Sequence, residues 1–313
     1  MLGKTAGGLY WMFRYLERSE NTTRLLDAGF RIALTRASAS ESEWTSVIDT
    51  AGVRSGFEEK HDAFDAANVI EYLLRDRSNP SSVLSVIEEA RNNARLVRTA
   101  LTREVWEATN ESWMTLKSVL ARPVRDRELP AVLATIRQQS AVVRGALHGT
   151  MLRNDNYNFA RIGTFVERAD NTARILDVKY YLLLPSVSLV GSSLDNVQWE
   201  TILRSVSANR AYRWLNGGDI NPTGISNFLI LDRQMPRSLI FCCAKINDNL
   251  GYLAEDYGER LSCHEHADRM LGQLRGRSVE SIFDSGLHEF LGGFIRDNSD
   301  LGGLIERDYR FFE

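Results

Sequence analysis

The sequence predicts an all-α fold, a large helical bundle with internal duplication of one polar helix, and three observations carry that expectation. Apolar residues recur at three- and four-residue steps along most of the chain. Only 6 of the 313 residues are proline, which suits long uninterrupted helices. No pair of alternating segments flanks a two-residue turn of the kind that makes a hairpin.

The first helix spans residues 9–34, where Met12, Tyr15, Leu16, Leu26 and Phe30 keep an amphipathic spacing, with Thr5 as its N-cap. After a serine-rich stretch at 38–42, a second helix covers 44–52 and a third 61–74, broken at 76–80. Pro80 then opens a pattern carrying Val83, Leu84, Ile87, Ala94 and Leu101, capped by Ser81 or Ser82. Two more helices cover 104–120 and 129–151, the second with Pro130 in its first turn, where a missing N–H is tolerated. The longest helix covers 159–184 and ends at Pro185, followed by a loop at 186–195. Helices resume at 199–215 and stop at Asn216, Gly217 and Gly218. A short segment at 228–231 leads to Pro236, which opens a helix over 237–253, and patterns at 259–274 and 287–309 complete the bundle. The whole chain, 1–313, reads as one domain with two related halves of approximately 1–150 and 151–313.

Charge narrows the choice of partner. Lys and Arg number 38 against 41 Asp and Glu, a net charge of −3, too balanced for the basic field that nucleic-acid or membrane-surface binding needs. Three cysteines, Cys242, Cys243 and Cys263, are an odd set without secretory spacing and fit a reducing compartment. Arg14, Glu17 and Arg18 interrupt the apolar opening before a signal-peptide core or membrane span forms. A cytoplasmic location, with no nucleic acid and no membrane as partner, is the expectation.

The sharpest signal is a self-match. Glu17-Arg18-Ser19-Glu20-Asn21-Thr22-Thr23-Arg24-Leu25-Leu26-Asp27 returns 150 positions later as Glu167-Arg168-Ala169-Asp170-Asn171-Thr172-Ala173-Arg174-Ile175-Leu176-Asp177. Seven of the eleven positions are identical, and six of those seven are polar. A repeated core would keep apolar class and let the surface polars drift; here the reverse holds. At about 100° per residue, Glu17, Asn21 and Arg24 share one narrow face, flanked by Arg18 and Asp27, and Glu167, Asn171 and Arg174 share another, flanked by Arg168 and Asp177. A weaker echo runs from Glu88 to Arg95.

Two readings of these faces stand open. In one, both helices line a polar cavity, where Glu17 and Glu167 act as acid, base or acceptor and Arg18, Arg24, Arg168 and Arg174 bind a carboxylate or phosphate. In the other, the same residues form inter-helix ion pairs that fix register without chemistry.

Other chemistry is sparse. No Gly-rich phosphate loop or dinucleotide fingerprint is present, so no cofactor is expected and any ATP belongs to a partner. Cys263, His264 and His266 have metal-ligand types, yet no second cluster completes a site, and no metal centre is expected. Cys263 beside His264 is a poor nucleophile pair, because adjacent helical residues point about 100° apart. The segment 232–238 combines Asp232, Arg233, Arg237 and Ser238 around Pro236; Arg237 is a candidate ligand-binding residue, and turn and helix-cap formation is the plainer explanation. Trp11, Trp113, Trp199 and Trp214 fall in apolar stripes and are expected in the core.

The chain resembles the bacterial Alpha-E family, a helical domain with a Glu-Arg motif. The resemblance covers nearly the whole chain through Leu9-Tyr10-Trp11, both Glu-Arg helices, Val178-Lys179-Tyr180 to Leu184-Pro185, Ala211-Tyr212-Arg213 and Leu231-Asp232-Arg233-Gln234-Met235-Pro236-Arg237-Ser238. It implies companions rather than an activity: circularly permuted ATP-grasp ligases and transglutaminase-like proteins, and hence a role in peptide synthesis or modification. The alternative is a non-catalytic scaffold that docks such a ligase. Phe13 stands where the family pattern has a small residue, supplied in the second half by Gly163, so the first helix is expected to pack less closely than the second.

Overall fold

Fifteen α-helices and no strand occur among the residues described by the computed structural model, namely 1–35, 40–183, 193–217 and 220–312. The first half contains α1 (Gly3–Thr35), α2 (Ser40–Ala51), α3 (Arg54–Glu58), α4 (Ala66–Leu74), α5 (Val83–Leu96), α6 (Arg103–Val119) and α7 (Leu129–Thr150). The second contains α8 (Asp155–Leu183), α9 (Ser193–Ser205), α10 (Asn209–Asn216), α11 (Pro222–Ile230), α12 (Leu239–Tyr257), α13 (Ser262–Arg275), α14 (Val279–Asp284) and α15 (Leu287–Asp308).

Local chemistry sets the boundaries and explains where the sequence-based expectations fail. The Asp65 carboxylate accepts from Asn68 N at 2.9 Å and starts α4 there, so residues 61–65 lie outside the helix expected from 61. Ser82, not Ser81, caps α5, and Ser238 caps α12, so Pro236 precedes that helix instead of opening it. Thr5 lies inside α1, and Leu101 lies beyond the end of α5. The helix expected at 199–215 is two, because Ser207 adopts a left-handed φ of 57° between α9 and α10. Trp214, expected in the core, is consequently 88% exposed. Helices α3 and α14 are too short to show a periodicity, and α11 begins well before the apolar run at 228–231 that betrays it. Residues 193–195 belong to α9 and not to a loop. Ser38, Pro185, Gly218 and the remainder of the loop at 186–192 lie outside the described residues.

The two halves are packed in the same order. Helices α5 and α7 lie against α1 with α6 against both, while α12 and α15 lie against α8 with α13 against both. Helix α2 crosses to α8, and α9 crosses to α1. Position by position the buried faces agree: Val83, Leu84, Val86 and Ile87 of α5 stand where α12 has Leu239, Ile240, Cys242 and Cys243. Likewise Leu133, Ile136, Val143 and Leu147 of α7 stand where α15 has Leu291, Phe294, Leu301 and Ile305. Asp65 caps α4 as Asn221 caps α11, and left-handed Gly52 ends α2 as left-handed Ser207 ends α9. The echo at Glu88 to Arg95 therefore belongs to α5, the counterpart of α12, and is no third Glu-Arg helix.

Each half has its own apolar core. One gathers Met12, Phe13 and Leu16 of α1 with Trp44 and helices α4 to α7. The other gathers Phe165 and Leu176 of α8 with Trp199, helices α11 to α15, and Leu9 and Tyr10 from α1. The seam between α1 and α8 is where the polar repeat lies.

Candidate functional site

Helices α1 and α8 run parallel and in register. Arg14 and Arg18 meet Glu167, and Glu17 meets Arg168, at separations of 153, 149 and 151 residues, close to the offset of the sequence match. Gly163 makes the approach possible: a Cβ there would stand 2.2 Å from the carbonyl oxygen of Tyr10, so only glycine fits. Phe13, the larger residue at the matching position of α1, is buried in the core of its own half.

The Glu-Arg pairs cross between the helices. Arg168 grips Glu17 through Nε and Nη2, both at 2.9 Å, and Arg18 grips Glu167 in the same fashion at 2.6 and 2.9 Å. These are bidentate, charge-assisted bonds, the strong class for a guanidinium and a carboxylate. Both carboxylates lie inside the molecule, Glu17 being 1% and Glu167 6% exposed. Burial pushes the Glu17 carboxyl up, but Arg168 and Arg237 outweigh it and hold it well below the usual carboxylate range. For Glu167, Arg18 and Arg14 overcome burial and bring it to about 2. Neither group carries a proton to donate near neutrality, so the pairing favours an electrostatic part over acid catalysis.

Around Glu17 the constellation is closed. Arg237, only 6% exposed, donates from Nη1 to Glu17 at 3.0 Å and to Asn21 Oδ1 at 3.3 Å, and from Nη2 to Glu20 at 2.7 Å. Burial lowers the Arg237 guanidinium to about 10, with Glu17 opposing the shift. Arg144 of α7 bonds Glu20 and lies 3.5 Å from Glu17. Arg24 bonds Glu20 as well and reaches Ser205 O at 3.2 Å and Ser207 Oγ at 2.6 Å, tying down the left-handed turn after α9. Glu20, Arg144 and Arg14 escaped the reading of the sequence. Glu20 aligns with Asp170, and a search for identities passes over a carboxylate that shortens by one methylene.

Around Glu167 the same constellation is open. A cleft of about 560 Å³ is lined by Arg14, Arg18, Glu167, Asp170, Asn171 and Arg174, with Ser81, Asn298, Gly302 and Glu306 across from them. Arg174 pairs with Asp170 at 2.7 Å, as Arg24 does with Glu20, and lies against Gly52 as Arg24 lies against Ser207. Arg14 bonds Glu167 at 3.0 Å and stacks on Trp11, its guanidinium carbon 4.5 Å from the ring centre. Asn298 is 2% exposed; its Nδ2 donates to Val166 O at 3.0 Å while its Oδ1 has no partner among the described residues, and Asn171 Nδ2 is likewise buried without an acceptor among them.

The difference traces to two positions. Asp76-Arg77-Ser78-Asn79-Pro80-Ser81-Ser82 before α5 repeats as Asp232-Arg233-Gln234-Met235-Pro236-Arg237-Ser238 before α12, each ending in the helix cap, so Ser81 stands where the other half has Arg237. Ser140 of α7 donates to Leu16 O as Asn298 of α15 donates to Val166 O; one turn on, Gly302 stands where the other half has Arg144. Serine and glycine leave space where two guanidinia fill the opposite side.

The remaining candidates lie apart. Asp27 pairs with Arg31 at 3.2 Å and Asp177 with His288 at 2.6 Å, and neither lines the cleft. His264 Nε2 faces Leu250 O and His266 Nε2 faces Asp297 O, and all three cysteines are buried free thiols. Contrary to the expectation that neighbours on a helix point apart, Cys263 Sγ lies 3.6 Å from His264 Nδ1, because these two residues stand in the first turn of α13. Burial raises the Cys242 thiol to about 12, which makes it inert as a nucleophile. Among the described residues, no group of three or more His, Cys, Asp or Glu is placed to hold a metal ion.

No described helix is long and apolar enough to cross a membrane. Curated relatives are uncharacterised proteins of Mycobacterium bovis and Mycobacterium tuberculosis, 23% identical over 326 residues. The match covers 94% of this chain and 36% of theirs, so the chain spans about a third of the length of those relatives. No solved structure matches the chain. A family described as a predicted alpha-helical domain with a conserved ER motif matches residues 1–310, and with two Glu-Arg pairs crossing at its centre the chain belongs to that family, Alpha-E.

Proposed function

We propose that this chain is a cytoplasmic component of a bacterial peptide-synthesis or peptide-modification system, working with an ATP-grasp ligase, and that the cleft beside Glu167 holds its peptide or acidic ligand. The observation that carries the reading is the open cleft on the α8 side of an otherwise saturated ion-pair core. Its volume of about 560 Å³ falls within the roughly 300–1,000 Å³ usual for small-ligand sites. Unmatched buried groups at Asn298 and Asn171 ask for a polar occupant. The partner is supported by the likeness to families that accompany such ligases, and by relatives in which the matched region is joined to further sequence. The two halves are read as copies of one unit, of which one keeps a structural ion-pair cluster and the other has become a site.

A scaffold role has its own support, because Glu17 and Glu167 are each matched by the arginine of the other helix's Glu-Arg pair. Recovery of the full chain from its native cell, with mass spectrometry of the proteins and small molecules released on denaturation, separates the two readings. The Gly303→Trp variant serves as the control: Gly303 lines the cleft and a Cβ there meets nothing within 4 Å among the described residues, so an indole at this position is expected to obstruct the cleft, with the unfolding midpoint measured to check that the fold is kept. A small molecule released by the wild type and not by the variant is the expected result. Recovery of a ligase with no small molecule from either form would leave only the scaffold.

A further inference from the structure

We propose that the cleft receives the guanidinium of an arginine side chain carried by a peptide ligand, seated between Glu167, Asp170 and Asn171 as Arg237 is seated between Glu17, Glu20 and Asn21. The inference rests on the cleft being a ligand site and adds the charge and shape of the ligand.

The molecule itself supplies the precedent. On the α1 side, three acceptors from one helical turn hold the fork of Arg237. The corresponding residues of the α8 side all line the cleft, and the residue that would bring the guanidinium from within the chain is Ser81. The second vacancy is already taken. Arg14 lies beside Gly302, its Nη1 3.6 Å from where a Cβ would be, and bonds Glu167 from the direction in which Arg144 approaches Glu17. Among the described residues, no side chain takes the place of Arg237.

Charge points the same way. The closed side sets Arg24, Arg144, Arg168 and Arg237 against Glu17 and Glu20, four cations to two anions. The open side sets Arg14, Arg18 and Arg174 against Glu167, Asp170 and Glu306, three to three. One more cation there gives a smaller positive excess than the closed side already tolerates. An anion would instead meet arginines committed to Glu167 and Asp170. Glu306 has no ion pair among the described residues, and Asn298 Oδ1 adds an unmatched acceptor. A guanidinium fits better than an ammonium, because a planar fork reaches several acceptors in one plane at once. The buried Asn171 Nδ2, lacking an acceptor, suits a carbonyl of the same peptide.

Calorimetric titration of the full-length chain at low salt with N-acetyl-arginine amide tests this, with N-acetyl-citrulline amide as the uncharged shape match and N-acetyl-glutamate amide as the acidic probe. The arginine probe is expected to bind saturably and at least about tenfold more tightly than citrulline, the scale of a charge-assisted bond, and the glutamate probe not at all. Ser81→Arg, which returns the missing side chain, is expected to abolish binding of the arginine probe. Glu306→Gln, a change at the half-buried wall, keeps the test valid if Ser81→Arg fails to fold and is expected to weaken binding severalfold. Equal binding of arginine and citrulline, or a preference for glutamate, would overturn the guanidinium while leaving the cleft a ligand site. Failure of all three probes to bind would overturn the guanidinium and count against the ligand reading too.

Discussion

Removing the Glu17 carboxylate leaves Arg168 and Arg237 buried without their anion, which is the costly way to break an interior ion pair. Glu17→Ala is expected to lower unfolding stability by about 3–5 kcal/mol in chemical denaturation, and an effect below about 1 kcal/mol would mean that the pairs contribute little to the fold. Acid sensitivity follows from Glu167. Its folded carboxyl titrates at about 2 against an ordinary 4.5, so the unfolded chain takes up the proton first as pH falls. The stabilisation is complete above about pH 4.5 and drains away toward pH 2. The thermal midpoint of the wild type should therefore fall more steeply over that range than that of Glu167→Gln; parallel profiles would contradict the assigned pairing. At this scale much was legible: identity at fixed spacing exposed Glu17, Arg18, Glu167 and Arg168. Glu20 hid behind a Glu-to-Asp difference, and Arg144 behind a counterpart, Gly302, that has no side chain to compare.

Helix boundaries respond to side chains that periodicity ignores. Asp65, Asn221, Ser82 and Ser238 each accept a backbone N–H at a helix start, and those caps, rather than the apolar stripes, set where α4, α11, α5 and α12 begin. The left-handed Ser207 splits what reads as one helix, because an apolar pattern continues across the break while the backbone does not. The long helices α7 and α15 agree closely with their apolar patterns, whereas α1 and α8 begin at Gly3 and Asp155, six and four residues before the expected starts, and α1 with 33 residues, not α8 with 29, is the longest described helix. Helices α1 and α8 approach closely at Gly163, where a methyl group would press on the Tyr10 carbonyl. Gly163→Ala is expected to cost about 2–3 kcal/mol through overpacking, measured as a loss in denaturation midpoint; tolerance of alanine would show that α1 and α8 stand farther apart.

The whole molecule is two similarly packed halves joined along α1 and α8, with reciprocal ion pairs at the centre of the joint. The sequence match between the two Glu-Arg helices announced that arrangement, but only the packing order reveals that α5 answers to α12 and α7 to α15, since apolar residues interchange freely at those positions. That correspondence makes Ser81 and Gly302 informative. They are ordinary residues in sequence, and they matter because of the arginines their counterparts carry.

A crystal structure of the Ser81→Arg variant tests the relation between the closed and open sides most directly. The expected result is a guanidinium within hydrogen-bond distance of the Glu167 and Asp170 carboxylates, reproducing the seat of Arg237 and closing the cleft. An arginine extended into solvent above an unchanged cleft would contradict it.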